Sequence, residues 1–309
     1  PAAAMRHDNA WPLACNPLKK FCCVEKSDLN RHTVVESIDM HSICNAEESV
    51  FGSNVGFVHR SEVEVEGGAK YSGQWKGSKR HGEGILTTKD GRQQYSGGFV
   101  GSRMHGHGIF RDADGTSYEG QWHLDRMHGY GKYMHDDGTT YEGEWVNDGK
   151  SGKGLETWAD GTRYEGEFMN GEKHGAGIFL SMDGSCYQGQ FRNDKMEGEG
   201  TYEFAGGRKY AGQWAESHMN GHGVMDFSDG SRYEGTYRND LKHGEGTFIW
   251  PDGRKYIGQW HNGKQDGSAT SIDTEGTITY GIWRRGDMVK TTDGPENGAP
   301  RHEFRGTHR

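Results

Sequence analysis

The chain has 309 residues, with 36 basic and 45 acidic side chains and a formal net charge of −9 at pH 7. That balance argues against a dedicated nucleic-acid binder, which would carry a net basic charge. No apolar run of about 18 residues occurs, so no transmembrane helix is predicted. The five cysteines lack C-x-x-C spacing. This argues against a disulfide framework and a zinc site, and it favours free thiols in a reducing, cytoplasmic compartment.

Residues 1–62 do not repeat and are predicted to be an irregular N-terminal extension. Ser27 and Asp28 are typical of a helix start, and the apolar residues that follow allow one short helix. Cys22 and Cys23 follow two lysines and a phenylalanine. Two interpretations of this pair stay open. One is S-acylation, in which lipid and basic residues together anchor the chain to a membrane; the other is a pair of free or packed thiols.

A lead-in strand is predicted around Val63 and Val65, whose flanking glutamates would discourage sticking at the sheet edge. A repeat then begins, and it organises the chain as far as Trp283. A tyrosine opens each unit, spaced by 23 residues with one spacing of 24: Tyr71, Tyr95, Tyr118, Tyr141, Tyr164, Tyr187, Tyr210, Tyr233 and Tyr256. A fixed period of this length is typical of repeat architectures, in which each unit needs its neighbours to bury a face.

Each unit is predicted to be one β-hairpin. The opening Y-x-G-x-W places Tyr118, Gly120 and Trp122 on one strand face, because side chains alternate along a strand. An H-G-x-G segment follows and leads into a second alternating strand, which ends at a D-G turn. The sequence therefore predicts an all-β fold. It is an elongated, twisted array of about nine antiparallel β-hairpins over residues 63–283, followed by a C-terminal tail at 284–309.

Two aromatic positions in each unit are predicted to form a thin core, one layer deep. Glycine weakens a strand, so its regular use in the second strand implies that a large group lies against the bare backbone. The aromatic columns of the adjacent hairpin are the expected occupants. The predicted structural aromatics are Tyr71, Trp75, Tyr95, Phe99, Tyr118, Trp122, Tyr141, Trp145, Tyr164, Phe168, Tyr187, Phe191, Tyr210, Trp214, Tyr233, Tyr237, Tyr256 and Trp260.

The pattern Y-x-G-x-W-x5-H-G-x-G-x5-D-G, which recurs from Tyr71 to Trp283, resembles the MORN (membrane occupation and recognition nexus) repeat. The resemblance implies a row of antiparallel hairpins that forms a long twisted ribbon, in agreement with the hairpin pattern. It also implies a setting. Similar proteins occur in ciliary and cytoskeletal assemblies, at membrane junctions and beside lipid kinases, and some form homodimers through their repeats.

No catalytic residue, metal site or cofactor is predicted. One slot of successive repeats holds His81, His105, His128, His174 and His243. A residue copied in this way is expected to make a structural hydrogen bond in each unit, not to catalyse a reaction. The Asp-rich turns lack the spaced carboxylates and the closing glutamate of a calcium loop. Walker, nucleophile-elbow and H-E-x-x-H motifs are absent from the sequence, so the chain is not expected to be an enzyme.

The residues just before the histidine slot have the most functional potential. Stacked hairpins are expected to gather them into one cationic, methionine-rich turn edge. Basic residues would attract anionic phospholipid, methionines would adapt to a protein partner, and a merely solvated turn is the third interpretation. The predicted edge comprises Lys79, Arg80, Arg103, Met104, Arg126, Met127, Lys150, Lys173, Lys195, Met196, Met219 and Lys242.

The outward strand face is predicted to be acidic, which would oppose membrane contact along the flat of the ribbon. It carries Glu119, Glu142, Glu144, Glu165, Glu167 and Glu234. The last unit departs from the repeat pattern at Asp266, Ala269 and Thr279, which is typical of a capping unit. The tail that follows is polar and is predicted to have no core of its own.

These patterns favour a non-enzymatic repeat scaffold or adaptor that binds other proteins within a larger assembly. The resemblance adds a cytoskeletal or ciliary setting and the option of a homodimer. Two alternatives stay open: a membrane-tethering module that binds anionic phospholipid through the basic turn edge, and a regulatory subunit of an enzyme on another chain. The predicted location is cytoplasmic, with association to the cytoskeleton, a cilium or a membrane surface.

Overall fold

The computed structural model describes residues 56–294, which form one antiparallel sheet of 21 strands. The strands are β1 (Val58–Glu64), β2 (Lys70–Lys76), β3 (Lys79–Thr87), β4 (Gln93–Val100), β5 (Arg103–Asp112), β6 (Ser117–His123), β7 (Arg126–Met134), β8 (Thr140–Val146), β9 (Gly149–Thr157), β10 (Arg163–Met169), β11 (Glu172–Leu180), β12 (Cys186–Arg192), β13 (Lys195–Glu203), β14 (Lys209–Ala215), β15 (His218–Asp226), β16 (Arg232–Arg238), β17 (Leu241–Ile249), β18 (Lys255–His261), β19 (Lys264–Ile272), β20 (Ile278–Arg284) and β21 (Asp287–Thr292). A 3-10 turn, Glu66–Gly68, lies between the first two strands. The helix predicted after Ser27 and the pair Cys22 and Cys23 lie outside the described residues.

Each strand pairs antiparallel with the next strand in chain order, from β1 with β2 to β20 with β21. The pairs β2–β3 to β18–β19 are nine hairpins, one for each tyrosine-led repeat, and β20–β21 adds a tenth. The prediction of an all-β array of hairpins is confirmed. Because every pairing is between sequence neighbours, each repeat contacts mainly the repeats before and after it.

The sheet extends past both predicted boundaries. β1 begins at Val58, and β21 lies within the region predicted to be an irregular tail from residue 284. That prediction is wrong for residues 287–292, where Trp283 pairs with Met288 across the ladder. The physical reason is a two-residue turn at Arg285 and Gly286, both with positive φ, whose Gly286 N–H donates to the Gln265 carbonyl as the equivalent turn residue does in earlier repeats. The H-G-x-G segment is missing here, but Gly286 and Met288 keep the repeat spacing after Trp283.

The turn inside each hairpin is a two-residue turn that also joins the hairpin to the one before it. Asn147 and Asp148 both adopt positive φ, 49° and 70°, as a type I′ turn requires. The Asp148 carboxylate accepts a hydrogen bond of 2.8 Å from the Met127 backbone N–H, and the Asp148 N–H donates to the Met127 carbonyl at 3.0 Å. The turn edge is therefore a backbone junction between repeats.

The turn between hairpins is the predicted D-G turn. At Asp229-Gly230, the glycine has φ of 88° and its N–H donates to the Phe227 carbonyl. The Asp229 carboxylate accepts from the hydroxyl and the backbone N–H of Ser231 at 2.6 and 2.8 Å. These hydrogen bonds lower the pKa of Asp229 below its ordinary value. The aspartate therefore stabilises the turn as an acceptor.

The core is a single layer in which each repeat tyrosine covers glycine backbone. Tyr164 is fully buried, and its hydroxyl donates to the Glu167 carbonyl at 2.9 Å. A Cβ added at Gly177 would lie 2.5 Å from the Tyr164 ring. This ring belongs to the same hairpin as the glycine, so the expectation that the adjacent hairpin covers this glycine is wrong for the tyrosine column. The tryptophans do cross between repeats: Trp122 Nε1 donates to the Gly108 carbonyl at 3.1 Å.

The aromatic rings form one continuous ladder. Tyr164 meets Phe168 of its own strand at a centroid distance of 5.1 Å and an interplanar angle of 89°, and it meets Phe191 of the next repeat at 5.0 Å and 82°. The same edge-to-face contacts recur without a break from Trp75 to Trp283. Edge-to-face geometry is favourable for aromatic pairs beyond the area that they bury. All eighteen aromatics singled out from the sequence are buried in this ladder.

Candidate interaction surfaces

The sheet presents two chemically different faces. The aromatic face carries the ladder of repeat tyrosines and their partners, and the outer face is the opposite side. Alternation along each strand sets the two faces: in β10, Tyr164 and Phe168 are buried, whereas Glu165 and Glu167 are exposed. Any interaction surface must therefore be assigned to one face, to the turn edge or to the D-G turns.

The residues of the predicted turn edge do not form one surface. Consecutive strand residues project to opposite sides, so one member of each pair packs on the aromatic face and the other is exposed. Met219 is buried and Met104, Met127 and Met196 pack against the core. Lys79, Arg103, Arg126 and Lys195 are exposed. The expectation of a single cationic, methionine-rich edge is therefore wrong.

Several basic residues of the predicted edge are paired with carboxylates. Salt bridges join Lys173 to Asp194 at 3.3 Å and Arg103 to Asp125 at 3.9 Å. Further salt bridges join Lys150 to Glu156 and Lys195 to Glu216. Arg80 donates to the Ser102 carbonyl at 2.8 Å and lies over the Tyr71 and Phe99 rings. These contacts leave fewer unpaired cations for phospholipid headgroups than the sequence pattern implied.

Lys242 is the most unusual basic residue on the aromatic face. Its ammonium group lies 4.3 to 5.3 Å from the ring centroids of four aromatic residues, Phe227, Tyr233, Phe248 and Trp260. Within residues 56–294 it has no salt-bridge partner. Burial lowers the pKa of Lys242 to about 8, because desolvation disfavours the charged form.

Two neighbouring groups of partly exposed aromatics lie next to the D-G turns of the later repeats, Tyr202 with Phe204 and Phe227 with Phe248 and Trp250. Lys242 lies over Phe227 and Phe248 of the second group. This C-terminal aromatic patch comprises Tyr202, Phe204, Phe227, Phe248 and Trp250, which pack against the core without being buried. Ring centroids are 4.5 Å apart for Tyr202 and Phe204, 4.9 Å for Phe248 and Trp250, and 6.0 Å for Phe227 and Phe248.

The patch depends on which side chain occupies one slot of the repeat. Phe204, Phe227 and Trp250 stand in the slot that precedes the D-G turn, as Trp158 does in the fourth repeat. The first three repeats and the fifth have Thr88, Asp112, His135 and Ser181 there. The sequence pattern did not single out Phe204, Phe227 or Trp250 as functional residues. The signal that could have found them is this change from polar to aromatic at a fixed slot.

The repeated histidines do not make the predicted structural hydrogen bond. In the described part of the chain, the Nδ1 atoms of His105, His128, His174 and His243 are buried without a hydrogen-bond partner. The slot lies at a β-bulge, and the exposed bulge N–H is bonded by another side chain. The Gln121 Oε1 atom, for example, accepts from the backbone N–H of Tyr130 at 2.9 Å.

Four of the five repeated histidines, all but His174, pack against neighbouring rings instead. The His105 and His123 centroids are 5.1 Å apart, and those of His123 and His128 are 5.6 Å apart. Between residues 56 and 294, no three His, Cys, Asp or Glu side chains are placed to hold a metal ion. In that same range no helix has the length and apolar character needed to cross a membrane.

The repeat pattern matches a known family. Nine consecutive segments match the family model of the MORN repeat: 71–91, 95–117, 118–140, 141–163, 164–186, 187–207, 210–232, 233–253 and 256–278. A search of curated proteins found no significant match.

Solved structures with a detectable likeness share little sequence with this chain. The SAS-4 (dCPAP) TCP domain of Drosophila melanogaster, solved with a proline-rich motif of Ana2 (dSTIL), is 13% identical with a TM-score of 0.32, over 50% of this chain and 85% of that one. The TCP10 domain of Danio rerio CPAP is 13% identical with a TM-score of 0.25, over 75% and 99%. Virginiamycin B lyase of Staphylococcus aureus is 10% identical with a TM-score of 0.15, over 75% and 86%. At such low identities and TM-scores, these similarities establish neither a function nor a partner.

Proposed function

The chain belongs to the MORN-repeat family, and we propose that it is a non-enzymatic scaffold that binds another protein through the C-terminal aromatic patch. Repeats of this family suit a scaffold for protein or membrane interaction. Of protein and membrane partners, we propose a protein. The cytoskeletal or ciliary setting is also part of the proposal, since it comes only from the family resemblance.

The observation that carries the proposal is that the patch is not needed for folding. Thr88 and His135 occupy the slot of Phe204 in earlier repeats, and those hairpins form in the same way. The patch aromatics therefore add partly exposed apolar surface that a soluble repeat can do without. Partly exposed aromatic clusters of this kind are typical of protein-binding sites.

The charges around the patch indicate the chemistry of the partner. The Arg208 guanidinium lies 4.0 Å from the Phe204 ring centroid. Arg254, which forms a salt bridge of 2.7 Å with Asp252, lies 5.3 Å from the Trp250 ring centroid. Lys242 lies over the Phe227 and Phe248 rings. Aromatic and arginine side chains dominate the energetics of protein interfaces, and a cationic surround favours an acidic partner. The expected partner is a protein that presents apolar side chains beside carboxylates.

The test compares the wild-type chain with the triple variant Phe204→Ser, Phe227→Thr and Trp250→Ser. These replacements resemble the small polar residues that other repeats have in this slot. The matched control changes three other apolar residues of the outer face, Ile85→Thr, Ile109→Thr and Ile257→Thr. Proteins that copurify with each chain from the source cells would be quantified by mass spectrometry. The strongest candidate would then be tested with purified components.

The patch variant is expected to weaken the direct interaction by more than about tenfold, since hot-spot truncations cost about 2 kcal/mol or more. The control variant should bind as the wild type does, and both variants should keep the wild-type circular dichroism spectrum at the temperature of the binding experiment. Equal binding by the patch variant would contradict the proposal.

The two alternatives predict other outcomes. Flotation with neutral and anionic liposomes across a salt series is expected to show no binding. Salt-sensitive binding to anionic vesicles alone would favour the membrane-tethering alternative. An enzymatic activity that copurifies with the chain and is lost from the isolated repeats would favour the regulatory-subunit alternative.

A further inference from the structure

A trough crosses the outer face over the middle repeats. Two adjoining grooves, of about 730 and 830 Å³, share Gln188 and Gly189 in their linings. Their floor is the backbone of a row of glycines that pair across successive strands: Gly154, Gly166, Gly177, Gly189, Gly200, Gly212 and Gly223. The trough therefore runs across the strands, in the direction in which the repeats succeed one another.

The walls of the trough combine acceptors with exposed apolar surface. Glu142, Glu165 and Gln188 occupy the same position of three successive repeats. Leu155 and Ile178 lie in the same wall and are 37% and 42% exposed. Each of these three positions thus offers a side-chain oxygen beside Leu155 or Ile178, and the next repeat has Ala211 there.

The charge of the trough is mostly negative. Glu142, Glu165, Glu167 and Glu199 line it, with Lys153 as its one basic side chain other than histidine. Glu142 forms a salt bridge of 3.6 Å with Lys132, whereas among the described residues Glu165, Glu167 and Glu199 have no salt-bridge partner. Unpaired carboxylates in a groove attract a cationic ligand.

One end of the trough holds an exposed aromatic residue. Tyr130 is 56% exposed, although the outer face is otherwise mostly acidic, amide or aliphatic, and its hydroxyl donates to Glu142 at 3.2 Å. No other repeat has an aromatic ring other than histidine in this slot. A ring beside aliphatic side chains forms an apolar surface on which proline rings can pack.

The spacing of the repeats selects the conformation of the ligand. Strands lie about 4.8 Å apart, so two strands advance the sheet by about 9.6 Å per repeat. A polyproline II helix rises about 3.1 Å per residue with three residues per turn, or about 9.3 Å per turn. Every third residue of such a ligand would meet the same position of the next repeat. A β-strand alternates its side chains every second residue and cannot keep this register.

From this match of spacing and charge, we propose that the trough between Tyr130 and Val224 binds a peptide segment in polyproline II conformation with a basic residue at every third position. The basic side chains lie against Glu142, Glu165 and Gln188, and the intervening prolines pack on Tyr130, Leu155 and Ile178. This site lies on the opposite face from the C-terminal aromatic patch, so it does not rest on the proposed function.

The test uses fluorescence anisotropy with a labelled peptide of about twelve residues, built from Lys-Pro-Pro triplets to span about four repeats. A second peptide has the same composition with its lysines irregularly spaced, and a third has glutamate in place of lysine. The triplet peptide is expected to bind in a salt-sensitive manner. The irregular peptide is expected to bind at least about tenfold more weakly, and the glutamate peptide not at all.

Variants of the protein test the site itself. Glu142→Gln with Glu165→Gln is expected to weaken binding of the triplet peptide about tenfold, and Ala176→Lys to abolish it by placing a cation in the trough. Glu83→Gln, on the same face but outside the trough, is the matched control. All variants would be checked for wild-type circular dichroism and unfolding midpoint.

Failure of the triplet peptide to bind, equal binding of the irregular peptide, or unchanged binding by the Glu142→Gln and Glu165→Gln variant would each overturn the proposal. The triple variant of the aromatic patch should bind the triplet peptide as the wild type does. The two proposals can therefore fail independently.

Discussion

The two faces of the sheet use neighbouring residues in opposite ways. On the aromatic face, Tyr164 is fully buried and stands at a position that is tyrosine in all nine repeats. On the outer face the next residue, Glu165, is exposed, and the same slot holds Ser72, Gln188 or Ala211 in other repeats. This one-layer protein therefore obtains its core by packing aromatic rings against its own glycine backbone. The other face is then free to vary and to bind.

The largest expected effect is alkaline unfolding, which would test the aromatic face as a whole. Burial raises the pKa of all nine repeat tyrosines above the ordinary value of 10.0, and that of Tyr118 and Tyr187 to about 12. Above pH 10 the unfolded chain releases protons that the folded chain keeps. The free energy of unfolding therefore falls as the pH rises from 10 towards the pKa values of the tyrosines in the folded chain.

Tyrosinate absorbance and far-UV circular dichroism, followed together in an alkaline titration, would check this prediction. Both signals should change in one cooperative step well above pH 10. Tyrosinate formation near pH 10 without loss of the sheet signal would contradict it.

The next prediction compares two neighbouring residues of β10. Tyr164→Ala removes a buried ring and its hydrogen bond and should lower the free energy of unfolding by about 3–5 kcal/mol. Glu165→Ala removes only an exposed side chain and should change it by less than about 0.5 kcal/mol. Urea unfolding followed by tryptophan fluorescence would measure both. Similar effects at the two positions would remove the distinction between the faces.

A smaller effect is expected from one added methyl group under the ladder. Gly177→Ala would place a Cβ 2.5 Å from the Tyr164 ring and should lower the free energy of unfolding by about 1–3 kcal/mol, because the ring must shift. The last repeat already has Ala269 in the equivalent position. The reverse change, Ala269→Gly, is the control and should have a smaller effect in the same urea experiment. A Gly177→Ala variant as stable as the wild type would show that the Tyr164 ring shifts without a measurable loss of stability.

The smallest effect is expected at Lys242, where the aromatic face holds a cation. Lys242→Met removes a charge whose pKa burial lowers to about 8, and methionine stands at this position in the repeats with Met104 and Met219. We expect the free energy of unfolding at pH 7 to rise by up to about 1 kcal/mol, because the cost of burying the charge is lost. Lys173→Met, which breaks the salt bridge to Asp194, should give no gain. A destabilised Lys242→Met variant would mean that the four ring contacts outweigh the burial cost.

Much of the fold could be predicted because the same pattern of strand and turn residues recurs in nine repeats. Tyr118, Gly120 and Trp122 at alternating positions predict a strand with an aromatic face, and nine copies predict nine hairpins. The strand at 287–292 is not predicted, because it lacks the H-G-x-G segment. Trp283, Gly286 and Met288 nevertheless keep the spacing of the tryptophan, turn and methionine positions of the repeat. The hydrogen bond expected of His128 is not formed. A β-bulge, which the spacing of the residues does not reveal, brings Gln121 to the backbone N–H of Tyr130.

The candidate surfaces depended still more on tertiary structure. The sequence by itself determined the family, the hairpin period and the aromatic core, because these follow from local alternation repeated at a fixed interval. It did not show that the second strand already begins at Arg103, which places Arg103 and Met104 on opposite faces, or that Lys173 pairs with a carboxylate of the next repeat. Nor could it show that glutamates from separate hairpins line one trough. Contacts between repeats are set by strand register and by the bulges, so only the folded sheet decides which side chains meet.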